Sequence, residues 1–218
     1  YVFMYKTKKK IILASITLFN ELGLMNVRNQ DIAKEAGMSL SNFNYHFKTK
    51  QDLVYAVVDY MKSVLQEKVY GNKLLVQEGK GLTITKAYFE FEEEFRFFYL
   101  DTYNILQSYP ELKKDLQQQI QEAIQVTKNL NYLAVGMGYL KPEPPEMPGL
   151  YNQLAEQIWI NNHFWFTQMH IRGELDDIVL KGLRACVLIS YPYLTEKGKE
   201  VYFGFIDNFI EERNNKTD

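Results

Sequence analysis

The chain contains a single cysteine, Cys186, which lies in the apolar run ACVLIS. One cysteine excludes an internal disulfide, and its apolar neighbours predict a buried, unreactive thiol. Across the 218 residues, no apolar stretch reaches the roughly 20 residues that a transmembrane helix requires, and no secretory signal pattern opens the sequence. These features predict a cytoplasmic protein that has no membrane partner.

Motifs that commonly mark an enzyme are also missing. The sequence has no P-loop, no glycine-rich dinucleotide turn, no nucleophile elbow and no HExxH motif. His163 and His170 are seven residues apart, but no carboxylate or cysteine at the spacing of a metal ligand accompanies them. This favours histidines whose ring nitrogens are hydrogen-bonded within the protein or face solvent. We therefore expect no catalytic residue, no metal site and no cofactor.

The alternating pattern of a β-strand is absent, and the prolines are concentrated in one place. Pro142, Pro144, Pro145 and Pro148 follow one another closely, and this stretch cannot be helical because proline removes a donor and clashes with the preceding turn. Elsewhere apolar residues recur at intervals of three and four. The sequence therefore predicts an all-α protein with one proline-rich loop.

Overall charge is nearly balanced at -2, but its distribution is uneven. Residues 1–50 carry eight Lys or Arg against three Asp or Glu, a balance of +5, and the rest of the chain carries 17 against 24, a balance of -7. A basic segment attracts nucleic acid, whereas an acidic one is repelled by phosphate. The first 50 residues are thus predicted to face nucleic acid, and the remainder to be held away from it.

The most informative stretch is DIAKEAGMSLSNFNYHFKTKQDL, residues 31–53. Gly37 can take the left-handed conformation that ends one short helix, and Ser39 can cap a second helix, predicted from about Leu40 to Phe47. On that helix Phe43 and Phe47 share one side, and the other sides are polar. This layout is typical of a DNA-binding helix-turn-helix, although a plain helical hairpin gives the same short pattern.

The same stretch resembles the tetracycline-repressor (TetR) family of bacterial regulators, whose pattern here is DIAxxAGVSxGxxYxxFxxKxxL. Including the preceding helix, which ends in LFNELG, the resemblance covers residues 9–58. The matching positions are Asp31, Ile32, Ala33, Ala36, Gly37, Ser39, Phe47, Lys50 and Leu53. Ser41 replaces the usual glycine and Asn44 the usual aromatic residue, so the base preference of relatives does not transfer.

This resemblance implies a regulator with two parts. Residues 1–50 would form a three-helix, helix-turn-helix DNA-binding domain, and residues 51–218 an all-α domain for effector binding and dimerisation. The implied partners are a double-stranded, palindromic DNA operator, a second copy of the chain and a small apolar or aromatic effector. Apolar residues around Trp159 to Met169 and on the last helix are candidates for the homodimer interface.

Contacts to DNA are predicted from the second helix of the pair and from the basic residues around it. Base contacts are assigned to Ser41, Asn42, Asn44 and Tyr45, which project away from Phe43 and Phe47. Ahead of the first helix, either Asn29 is the cap or Arg28 reaches a phosphate, and the sequence leaves both open. The remaining predicted DNA-binding residues are Ser39, His46, Lys50 and the cluster Lys8, Lys9 and Lys10.

An unusual density of aromatic residues between Thr83 and Tyr109 has two interpretations, a plain aromatic core or the lining of a pocket. The acidic run Glu90, Glu92, Glu93 and Glu94 within it could suggest paired catalytic carboxylates, but consecutive residues point to different sides of a helix, so a solvated face explains the run better. The predicted effector site combines Phe91, Phe95, Tyr99 and Tyr103 with Trp159, His163 and Phe166.

These observations favour a repressor that a small effector releases from its operator. A second hypothesis is a helical small-molecule-binding protein or enzyme with a vestigial helix-turn-helix, which would turn over or carry a compound without binding DNA. A third is a DNA-binding regulator controlled by a partner protein instead of a small ligand.

Overall fold

A computed structural model describes residues 2–70 and 80–217. Within these ranges the chain forms helices joined by short turns, and the one β-type pairing is an isolated bridge between Leu140 and Leu194. The predicted all-α class is therefore confirmed. The α-helices are α1 (Val2–Leu22), α2 (Asn29–Glu35), α3 (Leu40–His46), α4 (Lys50–Leu65), α5 (Lys80–Glu94), α6 (Arg96–Leu100), α7 (Thr102–Ser108), α8 (Leu112–Gly136), α9 (Leu150–Arg172), α10 (Ile178–Ser190) and α11 (Glu196–Thr217).

The described residues divide into two compact units. The head unit combines residues 2–70 with residues 91–114, and the body unit combines residues 80–90 with residues 115–217. The predicted domain boundary after residue 50 remains a prediction. The glycines in GNKLLVQEGKG, residues 71–81, predict a break in the helical pattern before Thr83. Residues 71–79 lie outside the described ranges, and α5 begins at Lys80.

The spacing of apolar residues from Ile11 to Leu22 predicts a first helix that the basic segment at residues 6–10 precedes, with Ile11, Ile12, Ser15, Leu18, Phe19 and Leu22 on its buried side. Helix α1 instead begins at Val2 and includes that basic segment. Ile16 is buried with Ile11 and Phe19, whereas Leu22 is exposed, so the buried side differs from the predicted one at Ile16 and Leu22. The lysines of this segment are therefore fixed on a regular helix that packs into the head unit.

The side chain of Asn20 joins α1 to the point where α5 ends and α6 begins. Its Nδ2 donates to the carbonyl oxygen of Glu94 at 2.8 Å, and its Oδ1 accepts from the backbone N–H of Phe97 at 3.0 Å. The Phe19 and Phe97 rings meet edge to face at 5.3 Å. Together these contacts satisfy backbone groups that the helix break would leave open, and they explain why residues 91–114 belong to the head unit.

In the body unit, caps fix the ends of two helices. Glu143 in the proline-rich loop accepts from the backbone N–H groups of Gly149 and Tyr151 at 2.9 Å each, at the start of α9. From its place before the last apolar-periodic segment, Thr195 is predicted to cap the last helix. Its hydroxyl accepts from the N–H of Gly198 at 3.0 Å, which confirms that prediction. Cys186 is buried, as predicted, and its thiol donates to Oδ1 of Asn162 at 2.8 Å.

Candidate nucleic-acid interface and effector residues

The first helix of the predicted pair, α2, begins with an interaction between Arg28 and Asp31. Asp31 Oδ2 accepts from the backbone N–H of Arg28 at 3.2 Å and from its Nε at 3.1 Å, and the side-chain bond contributes most to lowering the pKa of Asp31. Asn29 is the first residue of α2, so the alternative in which Asn29 is the cap is wrong. The guanidinium of Arg28 stays largely exposed, and its phosphate contact remains a prediction.

The turn between α2 and α3 has the predicted chemistry. Gly37 has a φ of 61°, a left-handed conformation that a side chain would strain, and the N–H of Met38 donates to the carbonyl oxygen of Ala33 at 2.9 Å. Ala33 is buried, which allows the two helices to approach closely. The Lys10 ammonium lies beside Gly37, since a Cβ built on Gly37 would stand 3.5 Å from Nζ. One lysine of the α1 cluster thus reaches the turn.

Helix α3 is anchored by aromatic residues on one side and is polar on the other. The Ser39 hydroxyl accepts from the N–H of Asn42 at 3.2 Å, as predicted for a cap. Phe43 is completely buried, and its ring centre lies 6.2 Å from that of Phe47. Ser41, Asn42, Asn44 and Tyr45, to which base contacts are assigned, are all exposed on α3, and so is Leu40.

Exposure differs among the residues predicted to contact phosphate. Lys8 and Lys9 are exposed, and their ammonium groups lie 5.6 Å and 6.0 Å from the ring centres of Phe47 and Tyr60. The Nδ1 of His46 is buried without a hydrogen-bond partner, so a phosphate contact by this side chain would have to use Nε2. Lys48, in the loop after α3, is exposed and was missed by sequence reasoning, although the KTK sequence of the loop could have indicated it.

Lys50 matches a family position, and its ammonium lies inside the head unit. Its Nζ donates to the carbonyl oxygen of Val27 at 2.7 Å and lies 4.5 Å from the centre of the Phe19 ring. Burial lowers the pKa of Lys50 to about 8. The phosphate contact assigned to Lys50 remains a prediction, and these contacts give the residue a structural function that the sequence did not indicate.

The lowered pKa of Lys50 predicts a pH dependence of stability. Between a pH of about 8 and 10.5 the folded protein binds fewer protons at this group than the unfolded chain, so its contribution to the free energy of unfolding rises with pH. Denaturant unfolding on both sides of that window should show this rise. In Lys50→Met the free energy of unfolding should rise less over this pH range. An identical rise in the variant and the wild type would contradict the lowered pKa of Lys50.

In the head unit, three of the predicted effector residues form one aromatic cluster. Phe91 and Phe95 are buried with ring centres 4.8 Å apart, and Tyr99 lies 6.3 Å from Phe91. Tyr60 on α4 packs against Phe95 at 6.3 Å. Tyr103 on α7 is 74% exposed, and this exposure does not support its predicted role in lining an enclosed pocket.

In the body unit, Trp159, His163 and Phe166 lie along α9. The Trp159 and His163 rings stack at 4.8 Å, and Phe166 is buried with its ring 6.2 Å from that of Phe89. Burial lowers the pKa of His163 to about 4, so the imidazole is neutral at pH 7. Trp159 Nε1 is a buried donor without a hydrogen-bond partner. The two aromatic sets belong to different units, and their assignment to a single effector site remains a prediction.

The acidic run on α5 is only in part the solvated face that the sequence suggested. Glu90 and Glu94 form ion pairs with Lys86 and Lys68, and Glu93 is exposed. Glu92 is completely buried, neither carboxylate oxygen has a hydrogen-bond partner, and burial raises its pKa well above the usual value. The interpretation as a solvated face is therefore wrong for Glu92, because this turn of α5 places one of the consecutive residues inside.

No group of three or more His, Cys, Asp or Glu side chains in the described ranges is arranged to hold a metal ion. Among the described helices, none has the length and apolar character needed to cross a membrane.

Comparison with known protein families gives two matches along the chain. Residues 11–57 match the family of bacterial regulatory proteins of the tetR type, and residues 80–202 match TetR, a bacterial transcriptional repressor. The second match alone spans more than half of the 218 residues. No curated protein matches the chain.

Solved structures with the same fold include a TetR-family transcriptional regulator from Marinobacter aquaeolei VT8. It superposes with a TM-score of 0.80 at 21% identity, over 93% of this chain and 98% of that one. SmeT, the repressor of the Stenotrophomonas maltophilia multidrug efflux pump SmeDEF, is similar in its triclosan complex, with a TM-score of 0.57, 16% identity and coverage of 88% and 93%. A gamma-butyrolactone receptor, an ArpA-like protein, gives 0.65 at 12% identity, with coverage of 96% and 99%.

These matches agree with the helix-turn-helix built by α2 and α3, and they confirm the resemblance seen in the sequence. The chain belongs to the TetR family of bacterial transcriptional regulators.

Proposed function

We propose that this regulator is a cytoplasmic, non-enzymatic repressor that binds a palindromic DNA operator as a homodimer and is released by a small apolar or aromatic effector. Residues 1–50 act as the DNA-binding domain, and residues 51–218 bind the effector and form the dimer. Helix α3 supports the proposal most strongly, because its polar residues are exposed while buried Phe43 and Phe47 fix this short helix in the head unit.

Base recognition follows from the chemistry of the exposed side of α3. Asn42 and Asn44 can each pair with adenine through two hydrogen bonds, and Ser41 and Tyr45 add hydroxyl groups. The seven residues of α3 span only a few base pairs, so useful specificity requires two copies at a fixed separation. The exposed lysines Lys8–Lys10 and Lys48 supply phosphate contacts that fix the orientation of the helix.

The dimer surface is proposed on the side of α9 that faces away from its buried residues. Ile160, Phe164 and Ile171 are exposed and follow at intervals of four and seven, which places them on one stripe of the helix. Leu188 on α10 is also exposed. Pairing of this surface with a second copy around a two-fold axis would remove the apolar stripe from water.

The effector class is supported by the aromatic clusters and by two of the similar structures. Small-molecule sites are mostly apolar with a few polar groups, as are the cluster around Phe91 and Phe95 and the stack of Trp159 on His163. The similar structures include a triclosan complex and a receptor for a gamma-butyrolactone. We consider two conformations of the dimer, one with the recognition helices placed for the operator and one with them misplaced. An effector that binds the misplaced conformation more tightly lowers DNA affinity, and the size of the effect is set by the difference between its affinities for the two conformations.

Selection of genomic DNA fragments by the purified protein tests the proposal. We expect the retained fragments to share an inverted repeat whose half-sites are separated by about one helical turn or a multiple of it. The same selection with Asn44→Ala and Tyr45→Ala combined serves as the control and should enrich the repeat far less. Retention of fragments that share no motif would contradict the proposed function.

A further inference from the structure

Leu40, the first residue of α3, is a large apolar side chain among the polar residues of that helix. It is 41% exposed, whereas Phe43, on the side that packs into the head unit, is completely buried. A single exposed leucine is common on protein surfaces and by itself indicates nothing. This one, however, lies on the helix to which base contacts are assigned, so its role there requires an explanation of its own.

The local structure of α3 does not explain an apolar residue at this position. The cap is formed by Ser39, whose hydroxyl accepts from the N–H of Asn42 at 3.2 Å. The apolar contact that often accompanies such a cap joins the residue before the cap to the fourth residue of the helix, and these positions are Met38 and Phe43 here. Lysine, glutamine and glutamate form helices about as well as leucine and are better solvated. Neither the cap nor helix formation therefore requires an apolar side chain at Leu40.

Leu40 and Asn44 are four residues apart and lie on the same stripe of α3. Ser41 and Tyr45 form the adjacent stripe, and these three polar residues are exposed. Residues at a spacing of four have their Cβ atoms about 5 to 6 Å apart. When Asn44 lies against base edges, Leu40 is therefore close to base edges as well, and it is the residues at the start of a recognition helix that contact them.

One group in the major groove matches an apolar side chain such as that of Leu40. Each base pair presents hydrogen-bond donors and acceptors there, and only thymine adds an apolar group, the methyl at C5. The polar edges of the other bases would lose hydrogen bonds to water beneath a leucine and gain none in return. Contact with the thymine methyl instead removes apolar surface of both partners from water.

We propose that Leu40 contacts the 5-methyl group of a thymine in each half-site of the operator and thereby determines specificity at that base pair. This inference rests on the proposed function, because the thymine belongs to the DNA that α3 reads there. Successive base pairs are about 3.4 Å apart along the duplex, so a spacing of about 5 to 6 Å places the thymine within about two base pairs of the base that Asn44 reads. The base contacts predicted from the sequence involve polar residues alone, and Leu40 adds an apolar one.

Operators that lack a single methyl group test the inference. In the operator selected from genomic DNA, each thymine is replaced in turn by deoxyuridine, in both half-sites at once. Deoxyuridine keeps the hydrogen-bonding groups of thymine and lacks only its methyl group. At one thymine position we expect the wild-type chain to lose about fourfold in affinity for each half-site, the effect of leaving one methyl-sized group exposed. That position should lie within about two base pairs of the one at which Asn44→Ala relaxes the base preference.

Three variants test whether Leu40 makes the methyl contact. Leu40→Ala should bind the thymine operator and the uracil operator with equal affinity at that position, because the contacting atoms are gone. Leu40→Met retains an apolar side chain of similar size and should remain sensitive to the methyl group. Leu22→Ala, at another exposed leucine of the head unit, is the matched control and should show the full wild-type loss. An equal loss in Leu40→Ala and the wild type would overturn the assignment, and far-ultraviolet circular dichroism verifies that each variant is folded.

The same measurements separate this inference from the proposed function. A wild-type chain that binds its operator and is insensitive to every uracil substitution would overturn the inference and leave the DNA-binding function standing. Retention of fragments that share no motif would reject both, since the inference requires a sequence-specific contact. A methyl effect that is present in the wild type, lost in Leu40→Ala and kept in Leu40→Met would support the inference. Comparison of both proteins on both operators isolates the contact from any effect of the methyl group on DNA shape.

Discussion

Replacement of Gly198 by alanine is expected to lower the free energy of unfolding by at least about 2 kcal/mol, because the added methyl group has no room. Gly198 lies in the first turn of α11, where an added Cβ would overlap the carbonyl oxygen of Tyr139. That carbonyl cannot easily move, since it accepts from the N–H of Thr195 at 3.0 Å and Tyr139 is buried. The clash is therefore with fixed backbone, and a flexible side chain cannot relieve it.

Urea unfolding of Gly198→Ala should show a lower midpoint than the wild type. Gly204 in the same helix is the matched control, because nothing lies within 4 Å of a Cβ built there. Gly204→Ala should stabilise the helix by about 0.5 to 1 kcal/mol, the usual difference between alanine and glycine. Equal midpoints for the two alanine variants would contradict the packing described for α11 and Tyr139.

Phe164→Glu is expected to weaken dimerisation by at least about 2 kcal/mol, because a buried aromatic residue at the centre of an interface is a typical hot spot. Phe164 is 50% exposed in the isolated chain and lies between Ile160 and Ile171 on the proposed dimer stripe. In a two-fold interface each substitution acts twice, and the two carboxylates would face the same apolar surface. Loss of the dimer should reduce operator affinity as well, since two recognition helices must bind together.

Sedimentation equilibrium over a range of protein concentrations measures this effect. Tyr103→Glu is the control, because Tyr103 is a largely exposed aromatic residue in the head unit, outside the proposed interface. The control should remain dimeric where Phe164→Glu is monomeric. A Phe164→Glu chain with the dissociation constant of the wild type would place the interface elsewhere.

The helix-turn-helix could be predicted because its determinants act over a few residues. A left-handed glycine at Gly37, a hydroxyl cap at Ser39 and a four-residue spacing from Phe43 to Phe47 specify helix ends and a buried side without reference to the rest of the chain. The caps at Thr195 and the non-helical proline loop were predictable for the same reason.

Side chains whose direction depends on tertiary packing could not be assigned in this way. Lys50 is a basic residue next to a DNA-binding helix, yet the distant carbonyl of Val27 and the ring of Phe19 hold its ammonium inside. Glu92 sits in an acidic run, where spacing alone does not reveal which of the consecutive residues faces inward. Breaks at Phe95 and Asp101 separate α5, α6 and α7, so the helical spacing of one helix does not extend to the next, and Tyr103 on α7 lies on the surface.

The affinity of Asn44→Ala for the selected operator and for unrelated DNA tests whether α3 recognises DNA bases. We expect a loss of about 1 to 3 kcal/mol for each half-site of the operator, with unchanged affinity for unrelated DNA. Asn208→Ala, at an exposed position of α11, is the control and should match the wild type on both DNAs. Operator affinity and sequence preference that survive in Asn44→Ala would contradict base recognition by α3.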